Sequence, residues 1–150
     1  MWTPASDLLT TIVILLPSVT QVLATCRLPP CGDVQNNSPW RMKWADLSGG
    51  PPGHYCDVYN WHGSDNSPAP NMAHRSCTQD WVEVGQHKGG FAQRLDVDGF
   101  CFHDRRYRIR WGNAAGLTYT LQPGVWTKIS DAQTATCSQA ADGMPSCFIL

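Results

Sequence analysis

An excess of charge of one sign, a long apolar run and helical periodicity are all missing from this sequence. Lys and Arg number 11 against 12 Asp and Glu, a net charge of −1. Binders of nucleic acid usually show a clear cationic excess, so the total predicts no such partner. Charged residues make up only 15%, below the roughly 25% of an average soluble domain. The main apolar stretch, residues 8–16, falls well short of the roughly 20 residues a membrane-spanning helix needs, so no membrane span is expected in the mature chain. There is no CxxC, HExxH, phosphate-binding loop or Ser/Cys nucleophile motif. No catalytic residue, metal site or cofactor is therefore assigned.

What is present begins with a leader. Residues 8–16 have the length of a signal-peptide h-region, and Pro17 interrupts them. Val22-Leu23-Ala24 places suitable residues for cleavage after Ala24, although the n-region has no Lys or Arg and contains Asp7. Residues 1–24 read as a signal peptide and 25–150 as one secreted, extracellular cysteine-rich domain.

All seven cysteines, Cys26, Cys31, Cys56, Cys77, Cys101, Cys137 and Cys147, follow that cleavage point. In an oxidising compartment they are disulfide candidates, and their odd number leaves one over. The expectation is that an outermost cysteine is left out and that Cys56, Cys77 and Cys101 link central strands. Cys147-Phe148-Ile149-Leu150 also matches a prenylation signal, but that cytosolic chemistry conflicts with export, so a closing strand with a disulfide is the expectation. Asn36-Asn37-Ser38 makes Asn36 a glycosylation candidate, with Pro39 just after it as a counter-signal.

Short segments of β-type residues punctuated by Gly and Pro run through residues 40–129. Strands are expected over 40–47, 54–61, 79–84, 91–97, 100–103, 105–111, 117–121 and 125–129, with 85–90 as a hairpin connection between the third and fourth. Residues 27–39 read as an N-terminal arm, 62–73 as a loop, and 130–141 as a short turn or loop. The fold class is all-β, an antiparallel sandwich or small barrel of about 7–8 short strands, stapled by disulfides and monomeric.

The most distinctive run is Arg105-Arg106-Tyr107-Arg108-Ile109-Arg110-Trp111. On a strand, Arg106, Arg108 and Arg110 line one face, where planar guanidiniums can grip sulfate, phosphate or carboxylate. The competing reading is a solvated face balanced by Asp96, Asp98 and Asp104. Trp61, in Asn60-Trp61-His62-Gly63, is the best candidate for an exposed ring that stacks on a sugar, while Trp40, Trp44, Trp81, Trp111 and Trp126 read as core. His54, His62, His74, His87 and His103, with Glu83, supply acid–base groups, yet no His follows the arginines as in small fungal ribonucleases. Asp96 and Asp98 with Asp104 or His103 could attract a hard cation, with turn chemistry the simpler account.

The leader, the cysteines from Cys26 to Cys147 and the turn-punctuated strands together resemble the small secreted cysteine-rich proteins of filamentous fungi, many of them effector or toxin candidates. The resemblance is one of class. It implies non-catalytic binding to an extracellular protein or glycan of a host or competitor. A glycan-binding module and a small ribonuclease-like hydrolase are the alternatives.

Overall fold

The structure is a computed structural model that describes residues 25–62, 72–112 and 118–150. Residues 1–24, read as a leader, most of the loop expected at 62–73, and residues 113–117 lie outside the described residues. Twelve short strands form two curled six-stranded sheets, and no α-helix occurs among the described residues. They are β1 (Asp33–Asn37), β2 (Met42–Asp46), β3 (Tyr55–Val58), β4 (Ala73–Ser76), β5 (Thr78–Val82) and β6 (His87–Gly89), followed by β7 (Gly99–Cys101), β8 (Tyr107–Trp111), β9 (Thr118–Leu121), β10 (Val125–Lys128), β11 (Thr134–Gln139) and β12 (Pro145–Ile149). The first sheet has the order β6-β1-β11-β12-β8-β9 and the second β4-β3-β10-β7-β2-β5.

The all-β, disulfide-stapled class is as expected; the pairing is richer than local sequence suggests. Three contacts are parallel, β1 with β11, β3 with β10, and β8 with β12. Parallel neighbours are joined by long crossovers, so hairpin spacing cannot announce them. Residues 85–97 differ most from expectation. β5 pairs with β2, β6 pairs with β1, and residues 91–93 form a 3-10 turn instead of a strand. The arm at 27–39 supplies β1, and 130–141 supplies β11, because neighbouring backbone overrides weak local propensity there. The C-terminal segment is the closing strand β12, as expected.

The second sheet curls until its ends meet. Edge strands β4 and β5 are separated only by Cys77, whose disulfide to Cys56 ties the junction to β3. The Cys77 amide donates to the His54 carbonyl at 3.2 Å, and Gln79 Nε2 donates to the Tyr55 carbonyl at 3.3 Å. Gly50 lies so close to the Cys77 backbone that a side chain there would collide with the Cys77 carbonyl.

Between the sheets sits the core, and β8 enters it through Tyr107, Ile109 and Trp111. The Tyr107 ring meets Phe102 at 5.4 Å and Phe100 at 6.0 Å. Its hydroxyl donates to the Val125 carbonyl at 2.7 Å and lies 2.8 Å from Thr127 Oγ1, joining a strand of one sheet to β10 of the other. Burial pushes this phenol well above its ordinary range, keeping it a neutral donor.

Cys26 pairs with Cys31, Cys56 with Cys77 and Cys137 with Cys147. The leftover thiol is therefore the central Cys101, not an outermost cysteine: β7 is interior, and no other cysteine is left to meet it. Cys26–Cys31 closes only a local loop, so the arm is held to the body by other contacts, among them the Cys26 amide on the Arg94 carbonyl at 3.2 Å.

Cys101 is fully buried, so a thiol reagent should label nothing in the native protein and one thiol per chain after unfolding without reductant. Labelling of two or more would contradict these bridges. Replacing Cys56 and Cys77 by Ala should lower the unfolding free energy by about 3 kcal/mol, and replacing Cys26 and Cys31 by clearly less, since stabilisation grows with loop length. Denaturant unfolding of both double variants checks the order.

Candidate functional site

Strand β8 shows why its arginines face out. Tyr107, Ile109 and Trp111 are buried, so the alternating pleat turns Arg108 and Arg110 to the opposite face, with exposed Arg106 just ahead of the strand. Across from them stand Thr120 and Thr118 on β9, and Ser146 and Phe148 on β12. Arg108 forms an ion pair with Asp142, which its guanidinium holds below the usual carboxylate range. The Arg110 Cζ lies 5.1 Å from the centroid of the Phe148 ring. Beside it is a shallow hollow of about 420 Å³ lined by Arg110, Thr136, Ser138, Ser146 and Phe148.

The acids expected to balance this row are used elsewhere. Asp104 makes a two-pronged contact with its neighbour Arg105, at 3.0 and 2.8 Å. Asp96 Oδ1 accepts the Gly32 amide at 2.9 Å, and Asp98 Oδ2 accepts the Leu47 amide at 2.7 Å. Asp142, in the turn between β11 and β12, is the partner that sequence spacing could not reveal.

Trp61 follows β3 and is half-buried, with the Arg75 Cζ 4.2 Å and the Lys128 Nζ 4.8 Å from its ring centroid. It is thus a cation-bearing ring and not a bare platform. It borders a hollow of about 320 Å³ that also takes in Ser48, Asp98, Lys128, Ser130 and Asp131. Carboxylate oxygens of Asp96, Asp98 and Asp131 lie within 4.8 Å of one another. The third acid of this group is therefore Asp131. Asp104 is paired with Arg105, and His103 sets its ring against Trp81 at 6.2 Å. A hard cation is the ion such a group could hold, while the two backbone amides already bound show the turn chemistry at work.

Of the tryptophans expected in the core, Trp44, Trp111 and Trp126 are buried. Trp40 and Trp81 are only half-buried, and each carries a guanidinium, Arg105 at 4.7 Å and Arg41 at 3.9 Å. The sequence signal is the alternation Trp40-Arg41-Met42-Lys43, which sets Lys43 on β2, and Arg41 just before it, on the side of the Trp81 ring. The five histidines are all exposed and scattered: His74 is on an edge strand of one sheet, its Nδ1 2.7 Å from Asp57 Oδ1, while His87 is on an edge strand of the other.

Asn36 is fully buried. Its Nδ2 donates to the carbonyls of Trp40, Val82 and Glu83 at 2.7, 3.0 and 3.3 Å, and its Oδ1 accepts from Ser38 Oγ at 2.7 Å. The nitrogen that would carry a glycan thus clamps β1 to the end of β5, and a glycan there has no room in the folded chain. Comparison with known protein families, curated proteins and solved structures finds no match for this chain.

Burial, with Asp46, Asp96 and Asp131 nearby, raises Asp98 to about 6. Its ordinary value is about 4, so between these limits the folded state holds more protons than the unfolded one, and stability falls as pH rises through the window. Asp98→Asn keeps an acceptor for Leu47 and removes the charge. The variant should match wild type near pH 4 and exceed it at pH 7.5 by about 1–2 kcal/mol, a figure discounted for solvent screening. Unfolding curves at both pH values check this, and a pH-independent difference would contradict it.

Proposed function

We propose that this chain is a secreted, non-catalytic binding protein of effector or toxin type, acting as a monomer on an extracellular protein or glycan of a host or competitor. The observation that carries the reading is the outward row Arg106, Arg108 and Arg110. A buried opposite face holds it in place, and hydroxyl side chains and the Phe148 ring flank it. Two of the three guanidiniums, Arg106 and Arg110, have no ion pair among the described residues. Export is supported by three disulfides, which persist in oxidising compartments. Among the described residues no helix is long and apolar enough to cross a membrane.

A second reading, glycan recognition at Trp61, is favoured by one feature: the hollow beside that ring combines an indole with carboxylates and hydroxyls, the groups that hold sugars. Retention on chitin, cellulose or β-glucan that Trp61→Ala abolishes would support it, and no retention on any of the three removes it.

For the first reading, Arg106, Arg108 and Arg110 are replaced together by Gln and binding to immobilised extracellular proteins and polyanions is measured. Each lost charge-assisted contact is worth about 1.5–3 kcal/mol, so affinity for any true ligand should drop at least about a hundredfold. Unchanged binding to every one of them would remove this surface from consideration.

A further inference from the structure

Beyond the arginine row, the structure brings together a second set of cations and rings, drawn from β2, β5 and the segments that precede β2 and β8. On β2 and β5, Lys43 and Trp81 stand directly opposite each other. The Arg41 Cζ lies 3.9 Å and the Lys43 Nζ 4.9 Å from the Trp81 ring centroid, and His103 meets the same ring edge-on. Arg105 covers Trp40, the residue just before Arg41, at 4.7 Å. Arg105 and Arg106 then lead directly into β8. Arg41 and Lys43 on Trp81 form one ring-centred group and Arg105 on Trp40 another; they adjoin in sequence at Trp40-Arg41, and His103, two residues before Arg105, brings that segment to the Trp81 ring, from which the chain runs on to Arg106, Arg108 and Arg110.

This arrangement has a physical consequence for anions. A guanidinium lying on an indole is already oriented, so less side-chain entropy is lost when its N–H edge grips an oxyanion. Arg41 has no ion pair among the described residues, and Lys43 donates only to the neutral Gln79 Oε1, at 2.8 Å. Of the acids on these segments, Asp104 is spent on Arg105, the Asp80 Oδ1 accepts the Trp81 amide at 2.7 Å, and exposed Glu83, which the β2–β5 register sets near Arg41, forms no ion pair among the described residues. The net charge of the whole chain is −1, so a polyanion would be held by this local array and not by a general field.

We infer that Arg41, Lys43 and Arg105, with the indoles of Trp40 and Trp81, form a subsite for the sulfate or carboxylate groups of a linear anionic polysaccharide, continuous with the arginine row. The inference rests on the reading of that row as the contact surface, and it names the ligand class. Alternating cations and rings suit a chain with charged groups at intervals and apolar sugar faces between them. Single-stranded RNA offers a similar alternation. The glycan is favoured because three disulfides suit an oxidising, extracellular setting, where the abundant polyanions are glycans.

The test measures binding of the purified protein to heparin as the sulfated probe, polygalacturonate as the carboxylated probe, dextran as the neutral one and poly(U) as the nucleic acid. Binding to heparin or polygalacturonate, but not dextran, is expected, and Arg41→Gln/Lys43→Gln should weaken it about tenfold or more. The control Arg27→Gln/Arg94→Gln removes the same charge from exposed positions at the N-terminal arm and should bind like wild type. Trp81→Leu keeps the net charge and should cost several-fold, provided its near-ultraviolet spectrum is native; if it is not, the Arg41/Lys43 pair decides. Equal loss in the Arg41/Lys43 variant and the control overturns the subsite, and tighter binding to poly(U) than to both glycans overturns the ligand class. If Arg106→Gln/Arg110→Gln weakens glycan binding while Arg41→Gln/Lys43→Gln does not, the row survives and this inference falls. If neither weakens it, both fall.

Discussion

One buried hydroxyl sets the relation between the two sheets. Tyr107 belongs to β8 of the first sheet, yet its oxygen reaches the backbone and the Thr127 hydroxyl of β10 in the second. A phenol taken out of water must find partners or cost roughly 1–3 kcal/mol, so these partners fix both the depth of the ring and the rotation of its strand. Because side chains on a strand alternate, fixing Tyr107 inward turns Arg106 and Arg108 outward, and Ile109 and Trp111 commit Arg110 to the same side. The surface chemistry is thus a consequence of the core.

Asn36 performs the matching task elsewhere in the fold. Its amide reaches from β1 to the carbonyls at the end of β5, so a second polar side chain, fully enclosed, joins the two sheets. Two of the three disulfides act within the sheets: Cys137–Cys147 lies across the β11·β12 pair, and Cys56–Cys77 holds the place where the second sheet returns on itself. Hydrogen-bonded pins between the layers and covalent staples within them are a reasonable division for a chain whose core is modest in size.

How much of this was legible follows from the range of each signal. The alternation in 40–47 and 105–111 is local, and the corresponding strands β2 and β8 appear with the faces it dictates. The expected hairpin of 79–84 with 91–97 through 85–90 does not form, because Gly-rich spacing looks the same whether the chain turns back or crosses to another sheet; β6 crosses, to pair with β1. Strand β11 was hidden because Thr-Ala-Thr-Cys-Ser-Gln carries little strand signal of its own and takes its form from β1 and β12 on either side. The sequon at Asn36 looked like a surface mark, since nothing in three residues tells that the amide has backbone carbonyls waiting for it. The arginine row was readable, but its partner Asp142 is 34 residues from Arg108 and only the fold brings the two together.

The claim that Tyr107 orients β8 is most directly tested by the unfolding free energy of Tyr107→Phe, measured in denaturant beside wild type. The ring and its packing are kept, and only the bridging oxygen is lost. A loss of about 1–3 kcal/mol with an unchanged denaturant slope is the expected result, since the Thr127 hydroxyl and the Val125 carbonyl would lose their shared partner. Stability equal to or above that of wild type would mean that the two sheets are positioned without this bridge, and that the outward arginine face owes nothing to this hydrogen bond.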